Sequence, residues 1–140
     1  MVFPFNFCRL VKKFRDKNNS SCVLKIENRV GRVLLTGDIE KKAEDYLIKT
    51  YAEELQAEVL LIPHHGSKTS SSFNFIKEVA PKYAVISYAF DNRYHFPHPQ
   101  TLETLGRQKI AEYNTANCGM ISIELIKGKV LEKPLCYRNL

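Results

Sequence analysis

Three short apolar runs limit what this chain can fold into: Val33-Leu34-Leu35, Val59-Leu60-Leu61-Ile62 and Tyr83-Ala84-Val85-Ile86-Ser87. A strand wetted on one face alternates apolar and polar residues, whereas an unbroken apolar run is what a strand covered on both faces looks like. Helical patterns separate the runs. Residues 40–56 carry Ala43, Leu47, Ile48, Tyr51 and Leu55 at helical spacing, with Glu and Lys between them, and Asp38 or a neighbour can cap that helix. Phe73, Phe75-Ile76 and Val79-Ala80 form the apolar side of a second helix, which Ser70-Ser71-Ser72 can cap and Pro81 ends. Pro99 suits the first position of a third helix, running through Leu102 and Leu105 to about Gln108. Ahead of the first run, Cys22, Val23 and Ile26 lead into a turn at Asn28-Arg29-Val30-Gly31, a β-hairpin pattern. Behind the third helix, Ile110 to Tyr113 reads as a short strand and Gly119 to Ile126 as a longer alternating one, which Lys127-Gly128 can turn back into Val130-Leu131. This order predicts an α/β layered domain with helices on the sheet. A chain of 140 residues suits one such domain and can bury a real core.

Composition narrows the classes. No apolar run approaches the ~20 residues of a membrane helix, and Met1-Val2-Phe3-Pro4-Phe5-Asn6-Phe7 lacks the basic start and small-residue cleavage site of a signal peptide. The chain is therefore expected to be soluble. Lysine plus arginine number 21 against 15 aspartate plus glutamate, a net charge of +6 that favours polyanions such as nucleic acid. The basic stretch Arg9 to Lys17 reads as a solvated loop or edge, and residues 1–17 are set apart as an N-terminal extension without an assigned role. Asn18-Asn19-Ser20-Ser21 is turn chemistry. Cys8, Cys22, Cys118 and Cys136 are widely spaced with no Cys-x-x-Cys pair, and read as packing residues rather than as a zinc ribbon or disulfide framework.

The chemistry gathers at the ends of the three runs. The first ends in Thr36-Gly37-Asp38, where an ionised carboxylate can bridge two cations or simply cap the next helix. The second opens into Pro63-His64-His65-Gly66-Ser67-Lys68-Thr69-Ser70. If that segment stays extended, its two imidazoles point to opposite faces, so that one binds metal and the other acts as helper, acid/base or phosphate contact. Gly66 permits close backbone approach, and Ser67, Lys68 and Thr69 offer hydroxyls, amides and a charge suited to phosphate oxygens. The leading glycine and Gly-Lys pair of a Walker loop are missing. The third run is followed by Asn92-Arg93-Tyr94-His95-Phe96-Pro97-His98-Pro99, a stiff segment whose Asn92, Arg93, His95 and His98 can position substrate, supply further ligands, or form only an exposed turn. Ser87 ends a strand without the Gly-x-Ser-x-Gly elbow of a serine hydrolase.

Three segments together resemble the metallo-β-lactamase-type domain of the ComEC family, the DNA-uptake channel proteins of competent bacteria: Leu34-Leu35-Thr36-Gly37-Asp38-Ile39-Glu40, the His-His-Gly-Ser segment from Pro63 to Ser72, and Asn92 to Pro99. Asn18 to Leu24 and Asn117-Cys118-Gly119-Met120-Ile121 resemble the same family, so the likeness covers roughly residues 18 to 126. The resemblance implies two β-sheets sandwiched between helices, with a di-metal site (zinc or manganese) along one edge. It also implies that Asp38 is the bridging aspartate and His65 the late histidine ligand, leaving His64 to contact substrate or leaving group. The parent family sits in the inner membrane, which puts this domain on the extracytoplasmic side, with DNA as the implied partner and nuclease or phosphodiesterase as the implied activity.

The same resemblance exposes a departure. Its early His-x-His-x-Asp-His-like motif has no counterpart, since no histidine precedes His64. Residues 18–140 therefore read as the C-terminal half of the αββα sandwich. Two ligands cannot fill two metal sites, so the isolated chain is expected to bind metal weakly or not at all and to lack hydrolase activity. An uncovered inner sheet face predicts pairing with the missing N-terminal half, or self-association. The competing readings are a non-catalytic DNA-binding module, and a hydrolase of a small phosphoester such as a phosphocholine ester.

Overall fold

The computed structural model describes residues 8–10, 14–126, 129 and 131–137. The three apolar runs form adjacent strands, β3 (Arg32–Leu35), β4 (Val59–Leu61) and β5 (Tyr83–Ile86), at the centre of a six-stranded sheet. Neighbours β1 (Cys8–Leu10) and β2 (Cys22–Glu27) extend it antiparallel on one side, and β6 (Ala111–Asn114) extends it in parallel on the other. The β3–β4, β4–β5 and β5–β6 pairs are all parallel, with α1 (Lys41–Tyr51), α2 (Phe73–Val79) and α3 (Pro99–Arg107) as the crossovers. The α/β class expected from the sequence is the class observed. The basic stretch read as a solvated loop or edge begins in an edge strand, because Cys8–Leu10 pairs with β2 from Leu24 to Cys22.

Strand alternation divides the core. Leu34, Leu60, Ala84 and Ile86 face one way and pack with Ala43 and Leu47 of α1, Phe75, Ile76 and Val79 of α2, and Leu105 of α3. Val33, Val59 and Val85 face the other way, where Ile121, Ile123, Leu125 and Leu131 pack against them. Both faces are covered, as the unbroken apolar runs required. The second face is covered in part by the chain's own C-terminal stretch, which modifies the expectation of a bare apolar sheet.

The C-terminal stretch departs from its sequence reading. Pairing is confined to β7 (Met120–Ser122) and β8 (Leu135–Tyr137), with Ile121 opposite Cys136. Ile123 and Leu125 keep the alternation because they face the sheet, not because they have a ladder partner. The proposed turn at Lys127-Gly128 and the Val130 strand position lie outside the described residues, and Leu131 is not in a strand. A short helix, α4 (Thr115–Cys118), precedes β7 and sets Cys118 beside β8. Cys118 and Cys136 form a disulfide across a Cα separation of 4.8 Å, and Cys22 is disulfide-bonded as well. The reading of these cysteines as packing residues is thus corrected: two residues 18 apart meet through strand register, which no local spacing motif announces. Among the described residues, no helix is long and apolar enough to cross a membrane.

Candidate functional site

The parallel strands β3, β4 and β5 all point their C-terminal ends at one edge of the sheet, where ligands are bound in open α/β sheets. After β3, Thr36 is buried and its hydroxyl donates to Leu61 O at 2.8 Å, locking this exit to the end of β4. Gly37 adopts φ +57°, and a Cβ there would sit 2.9 Å from Ser21 Cβ, so the turn needs glycine on both counts. Ile39 then dives into the core with no exposure. Asp38 in the turn and Glu40 at the extended N-cap position of α1 lie on either side of it, and their carboxylates meet His65 and His64 respectively.

Neither acid caps α1. Asn19, one per cent exposed, reaches across from the 3₁₀ turn Asn18–Ser20, and its Oδ1 accepts from Glu40 N at 2.9 Å and Ala43 N at 3.2 Å. A residue distant in sequence thereby supplies the cap expected of Asp38, and both carboxylates are released from that task.

After β4, residues Pro63–Gly66 form a tight 3₁₀-like turn rather than an extended segment. His64 (φ 50°, ψ 44°) and His65 (φ 55°, ψ 20°) are both left-handed, a conformation that costs an L-residue ~1–2 kcal/mol. Cross-links hold them there: His64 N donates to Gly37 O at 3.1 Å, and Ser67 N donates to His64 O at 2.9 Å. The imidazoles still diverge, with ring centroids 6.3 Å apart, and each meets a different acid. His65 Nε2 lies 3.6 Å from Asp38 Oδ1, and both side chains are about half exposed. His64 Nδ1 lies 3.3 Å from Glu40 Oε1 in a more covered position.

The hydrogen bonds define the tautomers. His65 Nδ1 is 2.7 Å from Ser87 O, and a carbonyl can only accept, so Nδ1 carries the proton. In the neutral ring, the Nε2 lone pair then faces the Asp38 carboxylate. Two acceptors facing each other at 3.6 Å repel unless a cation or proton lies between them. A carboxylate oxygen and an imidazole nitrogen whose other nitrogen is held by a carbonyl are also the donor types and support of a metal site. The pair therefore fits a divalent ion, but only as part of a donor set. Among the described residues, no group of three or more His, Cys, Asp or Glu is placed to hold one.

The loop beyond the histidines is anchored from below. Glu44 of α1 is fully buried and accepts from Ser71 N and from Ser72 N at 2.9 Å. Burial pushes its carboxyl above the ordinary range, and the bonds from the Ser71–Ser72 segment oppose that shift. Ser72 caps α2 as expected, accepting from Phe75 N at 3.3 Å. Ser67 is buried and turned inward, bonding Thr69 Oγ1 at 3.1 Å and accepting from Thr69 N. Thr69 faces the site, donating to Glu40 Oε1 at 2.8 Å and lying 3.5 Å from His64 Nδ1. Lys68 is exposed.

The segment after β5 forms the rim. Asn92 closes its own loop, accepting from Phe96 N at 2.8 Å while its Nδ2 donates to Phe96 O at 2.9 Å. Phe96 stacks on His65 with centroids 6.0 Å apart, Tyr94 stacks on Phe96 at 5.5 Å, and the Arg93 guanidinium lies 4.8 Å over Tyr94. His98 caps α3, accepting from Gln100 N at 3.4 Å, and His98 N donates to Gly66 O at 2.8 Å. Gly66 (φ +79°) packs so closely on Pro97 that a Cβ would lie 2.7 Å from Pro97 Cβ. His95 is exposed. The fold thus brings Asp38, His64, His65 and Thr69 together. Arg93 joins through the aromatic stack, and neither His95 nor His98 completes a metal-ligand group with the Asp38–His65 pair.

Glu40 and Asn19 were missed as site residues. The alternation Asp38-Ile39-Glu40 is a visible signal for Glu40, whereas nothing local points to Asn19.

A family model described as the metallo-beta-lactamase superfamily matches residues 5–89. The chain is 42% identical over 106 residues to ComE operon protein 3 of Bacillus subtilis, an alignment spanning 76% of this chain and 14% of that protein. It is 37% identical over 116 residues to Recombination protein 2 of Haemophilus influenzae, covering 83% of this chain and 14% of the relative. Competence protein ComA of Neisseria gonorrhoeae is 35% identical over 119 residues, covering 85% and 17%. The chain therefore matches less than a fifth of the length of each of these relatives.

Proposed function

Since this chain belongs to the metallo-beta-lactamase superfamily, in the ComEC family that its competence-protein relatives define, we propose that it carries part of a metal-dependent phosphodiesterase site acting on DNA. The observation that carries the reading is the Asp38–His65 pair, two metal-type donors 3.6 Å apart with His65 held from behind by Ser87 O. In this reading Asp38 and His65 hold the ion, zinc or manganese, and the remaining donors come from protein outside residues 18–140. A bound divalent ion supplies charge neutralisation at the phosphoryl oxygens and a nucleophile at neutral pH.

The chain's own residues do the rest. Glu40 fixes His64 with the proton on Nδ1, so Nε2 is the position from which that ring takes up or delivers a proton at the leaving oxygen. Thr69 holds Glu40 in place, and Glu44 holds the Ser71–Ser72 segment of the same loop. Lys68 and Arg93 supply positive charge for phosphate oxygens, and the stack from His65 to Tyr94 flanks one side of the pair. The Cys118–Cys136 disulfide supports an oxidising, extracytoplasmic location for the domain.

Zinc titration of the isolated chain, followed by calorimetry, is the direct test. Weak binding lost in both Asp38→Ala and His65→Ala is expected, and binding that survives both substitutions overturns the ligand assignment. In a longer protein containing this chain and an early histidine-rich motif, either substitution should reduce metal-dependent cleavage of labelled DNA to background. The scarcity of metal donors among the described residues also favours a second reading, a DNA-binding module without chemistry. Its signature is salt-dependent DNA affinity with no metal-dependent cleavage in that longer protein.

A further inference from the structure

Behind the loop that carries Thr69 lies an open groove of about 320 Å³ whose charged lining shares only Lys68 with the proposed chemistry. Its walls come from the start of α1, the Lys68–Phe73 loop and the outer face of α3. Lys41, Lys68 and Arg107 bring three cations to it against one carboxylate, Glu103, which pairs with Arg107 at 2.6 Å. Gln100 adds an amide and Thr104 a hydroxyl, the latter already donating to Gln100 O.

The groove and the site share one scaffold. Lys41 N donates to Thr69 O at 3.0 Å, and Thr101 Oγ1 donates to Gly66 O at 3.0 Å, so both walls hang from the segment holding His64 and His65. The three cations stand on three separate elements, and all are exposed. A site for one phosphate buries and converges its donors. Cations spread along an open groove instead suit a chain of phosphates, bound through counterion release.

We infer that this groove is a track for the sugar-phosphate backbone of nucleic acid, with Lys41 and Arg107 as backbone contacts. The inference rests on the nucleic-acid half of the function proposed above, but not on hydrolysis.

The test is anisotropy of a fluorescein-labelled oligothymidylate with the full chain, in chelator, over a salt series. Lys41→Glu places an acid in the first turn of α1, where the helix dipole favours it, so folding is preserved. Lys41→Glu and Arg107→Gln are each expected to weaken binding about tenfold and to flatten the log–log salt slope by about 0.7. Lys82→Glu makes the same charge change at the opposite end of β5 and should leave both quantities unchanged. The assay contains chelator and reads binding alone, so loss of the hydrolytic reading would not alter this result. Equal effects of Lys82→Glu and Lys41→Glu, or no oligomer binding at all, overturn the track. So does binding of phosphatidylglycerol vesicles through Lys41 in place of the oligomer, which would make the groove a lipid surface.

Discussion

Replacing Asn19 with alanine should cost the fold far more than a surface turn residue normally would. The side chain is one per cent exposed, and its Oδ1 serves two amides at the start of α1, while Nδ2 donates to Asp16 Oδ2 at 2.7 Å. Loss of an ordinary helix cap costs about 1 kcal/mol. The Ala43 amide keeps a second acceptor in Glu40 O at 2.9 Å, so the part-buried Glu40 amide is the donor that loses its acceptor. Loss of the cap together with the Asp16 contact gives about 1–2 kcal/mol for Asn19→Ala. With a urea m-value of about 1–3 kcal/mol per molar, the unfolding midpoint should fall by roughly 0.5–1 M. Asn19→Asp keeps the acceptor and places charge favourably at a helix start, but sets two carboxylates together where the Asp16 contact was, so its loss should be smaller. Hydrogen exchange should quicken at the Glu40 amide in the alanine variant. A loss below about 0.5 kcal/mol, or an aspartate variant less stable than the alanine one, would show that this long-range cap does not hold α1.

Two further outcomes follow from buried groups and cross-links. The Glu44 carboxyl is held above its ordinary range in the folded state, chiefly by burial, so the folded protein binds that proton more tightly than the unfolded chain. Its contribution is complete below the unfolded carboxylate range and is lost as pH rises through the raised folded value. Subtracting the stability of Glu44→Gln from that of wild type at each pH should give a difference that falls across this window, and a flat or rising difference contradicts the assignment. The double variant Cys118→Ser/Cys136→Ser releases a closure of sequence separation 18 and should lose about 3 kcal/mol in denaturant unfolding. Unchanged stability would show that β7 and β8 hold without the bond.

What could be read in the sequence was what is local. Unbroken apolar runs marked β3, β4 and β5, and Ser72 and Pro99 marked the starts of α2 and α3, because each acts within one helical turn or one strand. Asp38, His64 and His65 stood out because they follow strand ends. The unread parts were set by contacts between distant segments. Asn19 takes over the cap of α1, and Cys136 meets Cys118 through register. Glu40 falls between: its alternation with Asp38 was visible, but its partner His64 became visible only once β3 and β4 lay side by side.

The backbone at His64 and His65 sets evolutionary pressure against chemistry. Glycine would occupy either left-handed position with less strain, so a population selected only for folding should drift toward glycine or asparagine there. Two consecutive imidazoles at such positions represent stability forgone. A variant library sorted by thermal tolerance alone should deplete these histidines first, while one sorted by activity of the intact site should keep them. The divergence between the two libraries at residues 64 and 65 then measures, position by position, how much folding free energy the chain gives up to hold a working pair.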